Sequence, residues 1–243
     1  MKDVTAILTV YKRPEYLSKQ IDAMLSQTFK ISNYIICLNG SENRKKVDKV
    51  IHHKWIADKT LIVEFNKNQW VWNRFFLAYN AKTEYIFVCD DDIIPWNKWI
   101  ENCVNQSDWI IGSWWSVFNS LETRWDRYVV CETEWNNCIR PKELTQVDMS
   151  WHSWFFKKEL LWKMFNELPK VDYPTCWEEL WVSLNIPTYI LPMTDDIETR
   201  WNKEPRLWLD SVANFRTEAS KYQEFYSYCI LNWFIPLKFR LYD

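Results

Sequence analysis

The chain has 243 residues, with 30 basic and 32 acidic side chains and a net charge of −2. This length is enough for one large α/β domain with a substantial core. The chain lacks the excess of basic residues that is typical of nucleic-acid-binding proteins, so we expect no nucleic-acid partner. The sequence has no run of 18 apolar residues and no signal peptide, and we expect a cytoplasmic protein.

The cysteines do not form a metal or disulfide framework. There are 7 of them, an odd number, and no two are arranged as CxxC. This scatter is typical of reduced thiols in a core. We therefore look for metal chemistry among the carboxylates instead. The cysteines are Cys37, Cys89, Cys103, Cys131, Cys138, Cys176 and Cys229.

The ratio of glycine to tryptophan is abnormal, because the chain contains 2 glycines and 18 tryptophans. At an average share of about 7%, a chain of this length would carry roughly 17 glycines. We hypothesise that many tryptophans are glycine in the working protein, as would follow if UGA codons meaning glycine were translated as tryptophan. The alternative is a tryptophan-rich core or surface. The turn-like positions in question are Trp70, Trp96, Trp114, Trp115, Trp151 and Trp177.

The first 100 residues alternate between strongly apolar runs and segments with helical spacing. Such runs are too hydrophobic for a half-solvated sheet and favour a parallel, doubly wound sheet. In the third helix we expect Phe76, Leu77 and Asn80 to face the core. The strands are predicted at 4–11, 34–38, 61–65 and 85–89, and the helices at 15–28, 42–55 and 73–81.

Three consecutive carboxylates, Asp90, Asp91 and Asp92, follow the fourth strand. Adjacent carboxylates repel by roughly 1 kcal/mol per pair in water and by about 4 kcal/mol at an effective dielectric of 20. Oxygen ligands of this kind suit Mg²⁺ or Mn²⁺, and ligands of doubly wound sheets bind at the carboxyl ends of strands. Asn39, after the second strand, falls at the same edge. The alternative is a solvated acidic turn.

The second half of the chain is less regular and contains both strand and helix patterns. It has no linker and no repeat, so we predict a single domain over 1–243. The predicted class is α/β, a mainly parallel doubly wound sheet with a mixed C-terminal half. Strands are predicted at 109–112, 127–131, 145–149, 153–156 and 188–191, and helices at 158–165, from 178, and at 216–231.

Several segments together resemble the family 2-type glycosyltransferases of the GT-A fold. One of them matches the family's Asn-x-x-x-Gly-x-x-x-Arg segment with Trp70 in place of glycine, and the aspartate triplet matches its DxD signature. The likeness covers 1–100 well and 145–190 more loosely. It implies a Rossmann-like GT-A fold in which 1–105 bind the nucleotide sugar and 106–243 bind the acceptor. The segments are 9–17, 25–28, 35–39, 66–74 and 90–92.

The resemblance also assigns roles in the donor site. It implies a divalent Mn²⁺ or Mg²⁺ held by Asp92, with Asp90 at the ion or the ribose, and it places Asp91 beside them. Arg74 suits a phosphate or an internal carboxylate, since a fixed guanidinium pairs with either. The positions that match the family's nucleoside contacts are Thr9, Tyr11, Arg13 and Asn39.

For the catalytic base, Glu178 and Glu179 match the family's acidic pair, which is usually Glu-Asp. The resemblance implies that the second member accepts the acceptor's proton in inverting enzymes, which selects Glu179. The alternative is a surface charge pair that stabilises a helix N-terminus. We interpret His152, beside a predicted turn, as a structural residue, with contact to metal or acceptor as the alternative.

The predicted function is a metal-dependent glycosyltransferase that moves a sugar from a UDP- or GDP-sugar to a glycan, glycolipid or protein-glycan acceptor. A sugar-phosphate nucleotidyltransferase is one alternative. Such an enzyme needs a Gly-rich basic loop after the first strand to hold a triphosphate, and residues 11–14 do not form a loop of that kind. A catalytically degenerate carbohydrate-binding domain is the other. The aromatic segment 233–240 predicts a packed terminus, with at most peripheral membrane contact.

Overall fold

A computed structural model describes residues 2–40, 43–69, 71–106, 108–125, 127–129, 141–166, 178–192, 201–203, 219–232 and 234–240. Within these residues the strands form a nine-stranded sheet and a two-stranded ribbon. The strands are β1 (Val4–Val10), β2 (Asn33–Asn39), β3 (Thr60–Phe65), β4 (Tyr85–Cys89), β5 (Ile93–Pro95), β6 (Ile110–Phe118), β7 (Arg127–Val129), β8 (Thr145–Val147), β9 (Met149–Lys157), β10 (Thr188–Ile190) and β11 (Trp201–Lys203).

The helices cover both faces of the large sheet. None of the helices described combines the length and the apolar character that crossing a bilayer requires. They are α1 (Leu17–Leu25), α2 (Arg44–His53), α3 (Asn73–Leu77), α4 (Trp99–Val104), α5 (Leu161–Met164), α6 (Glu178–Asn185) and α7 (Ala219–Leu231).

The large sheet has the order β3-β2-β1-β4-β9-β6-β10-β8, with β7 paired to β6. The first four strands are parallel, which confirms the predicted doubly wound half. β9 then runs antiparallel to both β4 and β6, so the C-terminal half is mixed, as predicted. The sequence predicts two short strands in this region, whereas β9 is continuous because it is hydrogen-bonded on both sides.

The core lies in two apolar layers, one on each face of the sheet. Residues of β1 alternate between them, as the two-residue period of a strand requires. Ala6 and Leu8 pack in the layer that α1 and α2 cover, and Ile7 packs in the layer that α3, α5 and α6 cover. The four described cysteines are buried free thiols, and Cys131, Cys138 and Cys176 lie outside the described residues.

The predicted core face of α3 is correct for Leu77 and wrong for Phe76 and Asn80. Phe76 is 40% exposed and Asn80 is exposed, while Phe75, Leu77 and Ala78 are buried. The α-helix ends at Leu77 and a 3₁₀ turn follows, so the period shortens from 3.6 to about three residues. The buried face also carries Arg74, a residue that an apolar pattern assigns to the surface.

The four turn-like tryptophans that the structure describes lack the positive φ that would require glycine. The non-glycine residues with positive φ in the described part of the chain are Lys12, Trp55 and His152. The conformational argument for glycine therefore does not apply to Trp96, Trp114, Trp115 or Trp151. Trp70 and Trp177 lie outside the described residues.

Trp55 does occupy a glycine position. It follows α2 with φ of 56° and is 89% exposed. Its N–H donates to the oxygen of His52 at 3.2 Å, and the N–H of Ile56 donates to the oxygen of Ile51 at 3.1 Å. These two bonds are the Schellman motif, whose left-handed residue is most often glycine.

We predict that Trp55→Gly raises the free energy of unfolding by about 1 kcal/mol, because glycine removes the steric cost of the left-handed conformation. Urea denaturation measures the change. The control is Trp162→Gly, which removes another exposed tryptophan from the helix α5 and should destabilise by roughly 0.5–1 kcal/mol. Destabilisation by Trp55→Gly would contradict the assignment.

Asp148 fastens the C-terminal segment to the sheet. Its Oδ2 accepts the N–H of Phe118 at 2.8 Å, and its Oδ1 accepts the N–H of Leu237 at 2.7 Å. Burial raises the pKa of Asp148 to about 6, although the two backbone hydrogen bonds oppose the rise. Beside this junction, Phe234 is buried against Phe118.

We predict that Asp148→Asn destabilises the protein by about 1–3 kcal/mol, because one buried backbone N–H then faces an amide NH₂ instead of an acceptor. Urea denaturation at pH 8 measures the loss. Asp108→Asn is the control, since Asp108 is an exposed residue whose pair with Lys157 is at the surface. Equal stability of the two variants would show that the Asp148 contacts are dispensable.

Candidate functional site

The acidic triplet lies at the carboxyl edge of the parallel strands, in a loop that α1 holds in place. Gln20, buried on α1, donates to the main-chain oxygens of Asp90 at 2.6 Å and Ile93 at 3.0 Å. Just after the end of the same helix, Gln27 donates to the main-chain oxygen of Trp96 at 2.7 Å. These amides fix the loop after β4 without adding charge, and sequence reasoning gave them no role.

Arg13 neutralises part of this loop. Its Nη1 lies 3.0 Å from Oδ1 of Asp91 and 3.9 Å from Oδ2 of Asp92, and all three side chains are largely buried. Burial raises the pKa of Asp91 to about 7, while the Arg13 guanidinium lowers it and the neighbouring Asp92 raises it further. The loop therefore carries carboxylates that are costly to ionise without a cation nearby.

Arg74 links three elements. Its two terminal nitrogens pair with Asp90 after β4 and with Glu178 at the start of α6. The guanidinium also stacks on Trp154 of β9, with Cζ 4.6 Å from the ring centroid. Arg74 is 7% exposed and Glu178 is 0% exposed. The geometry places Arg74 on internal carboxylates, one of the two roles that its chemistry allows.

Glu179 lies next to this ion pair, at the first turn of α6. Burial and the adjacent charge of Glu178 raise the pKa of Glu179, and Arg74 opposes the shift only in part. A carboxylate with a raised pKa is a stronger base than an ordinary glutamate. It is therefore suited to accepting a proton near neutral pH.

Asp90, Asp92 and His152 converge on one point. One ligand atom from each residue lies within 4.8 Å of the others. Nδ1 of His152 is 3.5 Å from Oδ2 of Asp90 and 3.6 Å from Oδ1 of Asp92. Two carboxylate oxygens and one imidazole nitrogen make a donor set that fits a divalent ion such as Mn²⁺.

The remaining donor-site candidates lie along the same edge. Thr9 is the next-to-last residue of β1 and follows Leu8, which pairs with Cys89. Its hydroxyl is buried and has no hydrogen-bond partner among the described residues. Tyr11 is half-buried, with Nζ of Lys12 5.1 Å from its ring centroid.

Asn39 is the candidate that faces the neighbouring loop. Its amide donates to Oδ1 of Asn68 at 2.8 Å, and its oxygen accepts the N–H of Gln69 at 2.7 Å. Gly40 makes this close approach possible, because it has φ of 71° and a Cβ there would overlap the main-chain nitrogen of Asn68. Asn39 therefore shapes the segment that leads into α3.

The structure groups Asp90 and Asp92 with His152, and it links Asp90 to Glu178 through Arg74. The signal for His152 is the register of β9, where Ser153 pairs with Cys89 and His152 consequently lies opposite Asp90. A sequence pattern does not give this register, since β4 and β9 are separated by 59 residues and paired antiparallel.

Solved structures with the same fold are chains of TarS from S. aureus. The TarS 1-349 complex with UDP matches at TM-score 0.55 and 12% identity, covering 80% of this chain and 59% of that chain. The TarS 1-349 complex with UDP-GlcNAc matches at TM-score 0.54 and 13% identity, covering 80% of this chain and 57% of that chain. A third TarS structure matches at TM-score 0.55 and 13% identity, covering 80% of this chain and 36% of that chain. The chain thus spans less than two thirds of each of these three.

The match to a family sequence profile identifies the family of this chain. No curated protein matches the chain. The family profile described as glycosyl transferase family 2 matches residues 5–165, which include β1 to β4, the acidic triplet and β9. Because this match covers more than half of the chain and contains the carboxylate site, we conclude that the chain belongs to glycosyl transferase family 2.

Proposed function

We propose that the protein transfers a sugar from a nucleoside diphosphate donor to a glycan, glycolipid or protein-glycan acceptor, with a divalent ion and inversion at the anomeric carbon. The observation that carries this proposal is the convergence of Asp90, Asp92 and His152, which Arg74 links through Asp90 to Glu178, the residue before Glu179 in α6. The TarS structures bound to UDP and UDP-GlcNAc support a UDP-sugar as the first donor to test.

Charge balance supports the ion. Five carboxylates gather at this edge, and in the part of the chain that the structure describes the guanidinium groups acting on them include those of Arg13, Arg74 and, on Glu179, Arg124. A divalent ion held by Asp92 and Asp90 would supply the missing positive charge, and it would neutralise the departing diphosphate. The five carboxylates are Asp90, Asp91, Asp92, Glu178 and Glu179.

The residues around the ion have separate roles in binding the donor and in positioning the carboxylates. Thr9, Tyr11 and Asn39 stand at the ends of β1 and β2, where the nucleoside would lie. Arg13 is placed to exchange its contact with Asp91 for a phosphate oxygen. Arg74 acts as a positioning residue, because it orients Asp90 on the donor side and Glu178 on the acceptor side.

Glu179 is the proposed base. The acceptor hydroxyl attacks the anomeric carbon, the bond from that carbon to the diphosphate oxygen breaks, and the hydroxyl proton passes to the Glu179 carboxylate. Attack from the face opposite the leaving group inverts the configuration. The pKa of Glu179, raised by burial and by Glu178, matches this role near neutral pH.

We predict that Asp92→Asn lowers UDP-GlcNAc hydrolysis and transfer with Mn²⁺ by about 10²–10³-fold, because the amide keeps the shape but removes the charge that holds the ion. A screen of nucleotide sugars with Mn²⁺ measures turnover. Asp108→Asn is the control, as it removes an exposed aspartate outside the site. Unchanged turnover in Asp92→Asn would refute the role of Asp92, and binding without turnover in the wild type would favour the carbohydrate-binding alternative.

We predict that Glu179→Gln lowers kcat by about 10²–10⁴-fold. In the wild type, activity falls as the pH drops through the raised pKa of Glu179, because a protonated carboxyl accepts no proton. Glu178→Gln removes a neighbouring negative charge, which lowers the pKa of Glu179, so the acid limb should move to lower pH. The exposed Glu159→Gln should leave the profile in place.

The pH profile of kcat/KM over pH 5–9 distinguishes the outcomes. An acid limb at the same pH in the wild type and in Glu178→Gln would assign the base to another group. Full activity of Glu179→Gln would likewise show that a group other than Glu179 is the base.

A further inference from the structure

His152 lies opposite the donor-side carboxylates because of strand pairing. β9 runs antiparallel to β4, with Ser153 beside Cys89, and the N–H of Asp90 donates to the main-chain oxygen of His152 at 2.9 Å. This backbone bond fixes the start of the acidic triplet relative to the imidazole. The histidine is therefore built into the strand that borders the site.

The distances fit a shared ion better than direct hydrogen bonds. An octahedral ion with bonds of about 2.0–2.1 Å separates adjacent ligand atoms by about 3 Å and opposite ones by about 4.2 Å. Nδ1 of His152 lies 3.5 Å and 3.6 Å from single oxygens of Asp90 and Asp92, about half an ångström wider than the adjacent spacing, so a small inward shift would place all three atoms on one ion. Both distances exceed the range of good hydrogen bonds to nitrogen.

The backbone of His152 is held in an uncommon conformation. Its φ is 72°, a left-handed value that costs a non-glycine residue about 1–3 kcal/mol. The rings of Trp114 and Trp151 flank the imidazole, with centroids 5.9 Å and 6.2 Å away. β6 also changes register between Gly112 and Trp114, next to this point. The packing therefore fixes where the imidazole points.

We propose that Nδ1 of His152 is the third protein ligand of the ion that Asp90 and Asp92 hold, and that it makes the site select Mn²⁺ over Mg²⁺. A nitrogen ligand favours transition-metal ions, whereas Mg²⁺ takes oxygen ligands. This inference rests on the proposed function and deepens it, because it decides between the two ions that the carboxylates alone accept.

Ion binding by the protein without nucleotide tests the proposal. Electron paramagnetic resonance of free Mn²⁺ gives the Mn²⁺ Kd, and competition by Mg²⁺ gives the Mg²⁺ Kd. His152→Asn suits the test because asparagine tolerates positive φ and offers an oxygen in place of the nitrogen. We expect the preference for Mn²⁺ over Mg²⁺ to fall by about 10-fold or more in this variant.

Two further variants complete the test. His152→Ala removes the ligand, and it should weaken Mn²⁺ binding by about 10–100-fold. His53→Ala, on the exposed face of α2, is the matched control and should bind both ions as the wild type does. Circular dichroism melting confirms that each variant is folded.

The outcomes separate this inference from the proposed function. Wild-type Mn²⁺ affinity in His152→Ala, or an unchanged ion preference in His152→Asn, would overturn the ligand role and leave transfer chemistry intact. Absence of nucleotide-sugar turnover in the wild type would instead remove the proposed function. A preserved ion preference would also indicate that His152 forms an ion pair with the two aspartates.

Discussion

A buried guanidinium links the two sides of the site. Arg74 pairs with Asp90 after β4 and with Glu178 on α6, and it stacks on Trp154 of β9. Removing one partner of a buried ion pair costs about 3–5 kcal/mol, because the remaining charge keeps no compensation. The parallel half and the mixed half are therefore coupled at this residue. The spacing between the acidic loop and Glu179 depends on it.

The same network leaves an excess of negative charge at the sheet edge. Arg13 and Arg74 neutralise part of the negative charge of the carboxylates around them. Burial raises the pKa values of Asp91 and Glu179. The raised pKa of Glu179 suits the proposed base, and the raised pKa of Asp91 follows from burial and from the charge of Asp92. Membership in glycosyl transferase family 2 agrees with an ion that neutralises a leaving diphosphate.

Local patterns in the sequence predicted the parallel strands, the edge where the loops meet and the acidic triplet, since each depends on neighbouring residues. They did not predict what depends on long-range register. The core face of α3 is predicted only in part, because a 3₁₀ turn follows Leu77 and shortens the period, which buries Ala78 and exposes Asn80. The position of His152 opposite Asp90 follows from the pairing of β9, which no local pattern contains. Trp55 was overlooked because only the backbone shows its left-handed conformation.

The central claim is that the carboxylates after β4 hold an ion that in turn binds a pyrophosphate. Isothermal titration of UDP into the wild-type protein, with Mn²⁺ and again after removal of all divalent ions by EDTA, tests it most directly. The account predicts that the Kd rises by about tenfold or more without the ion. The same Kd in both titrations would contradict it.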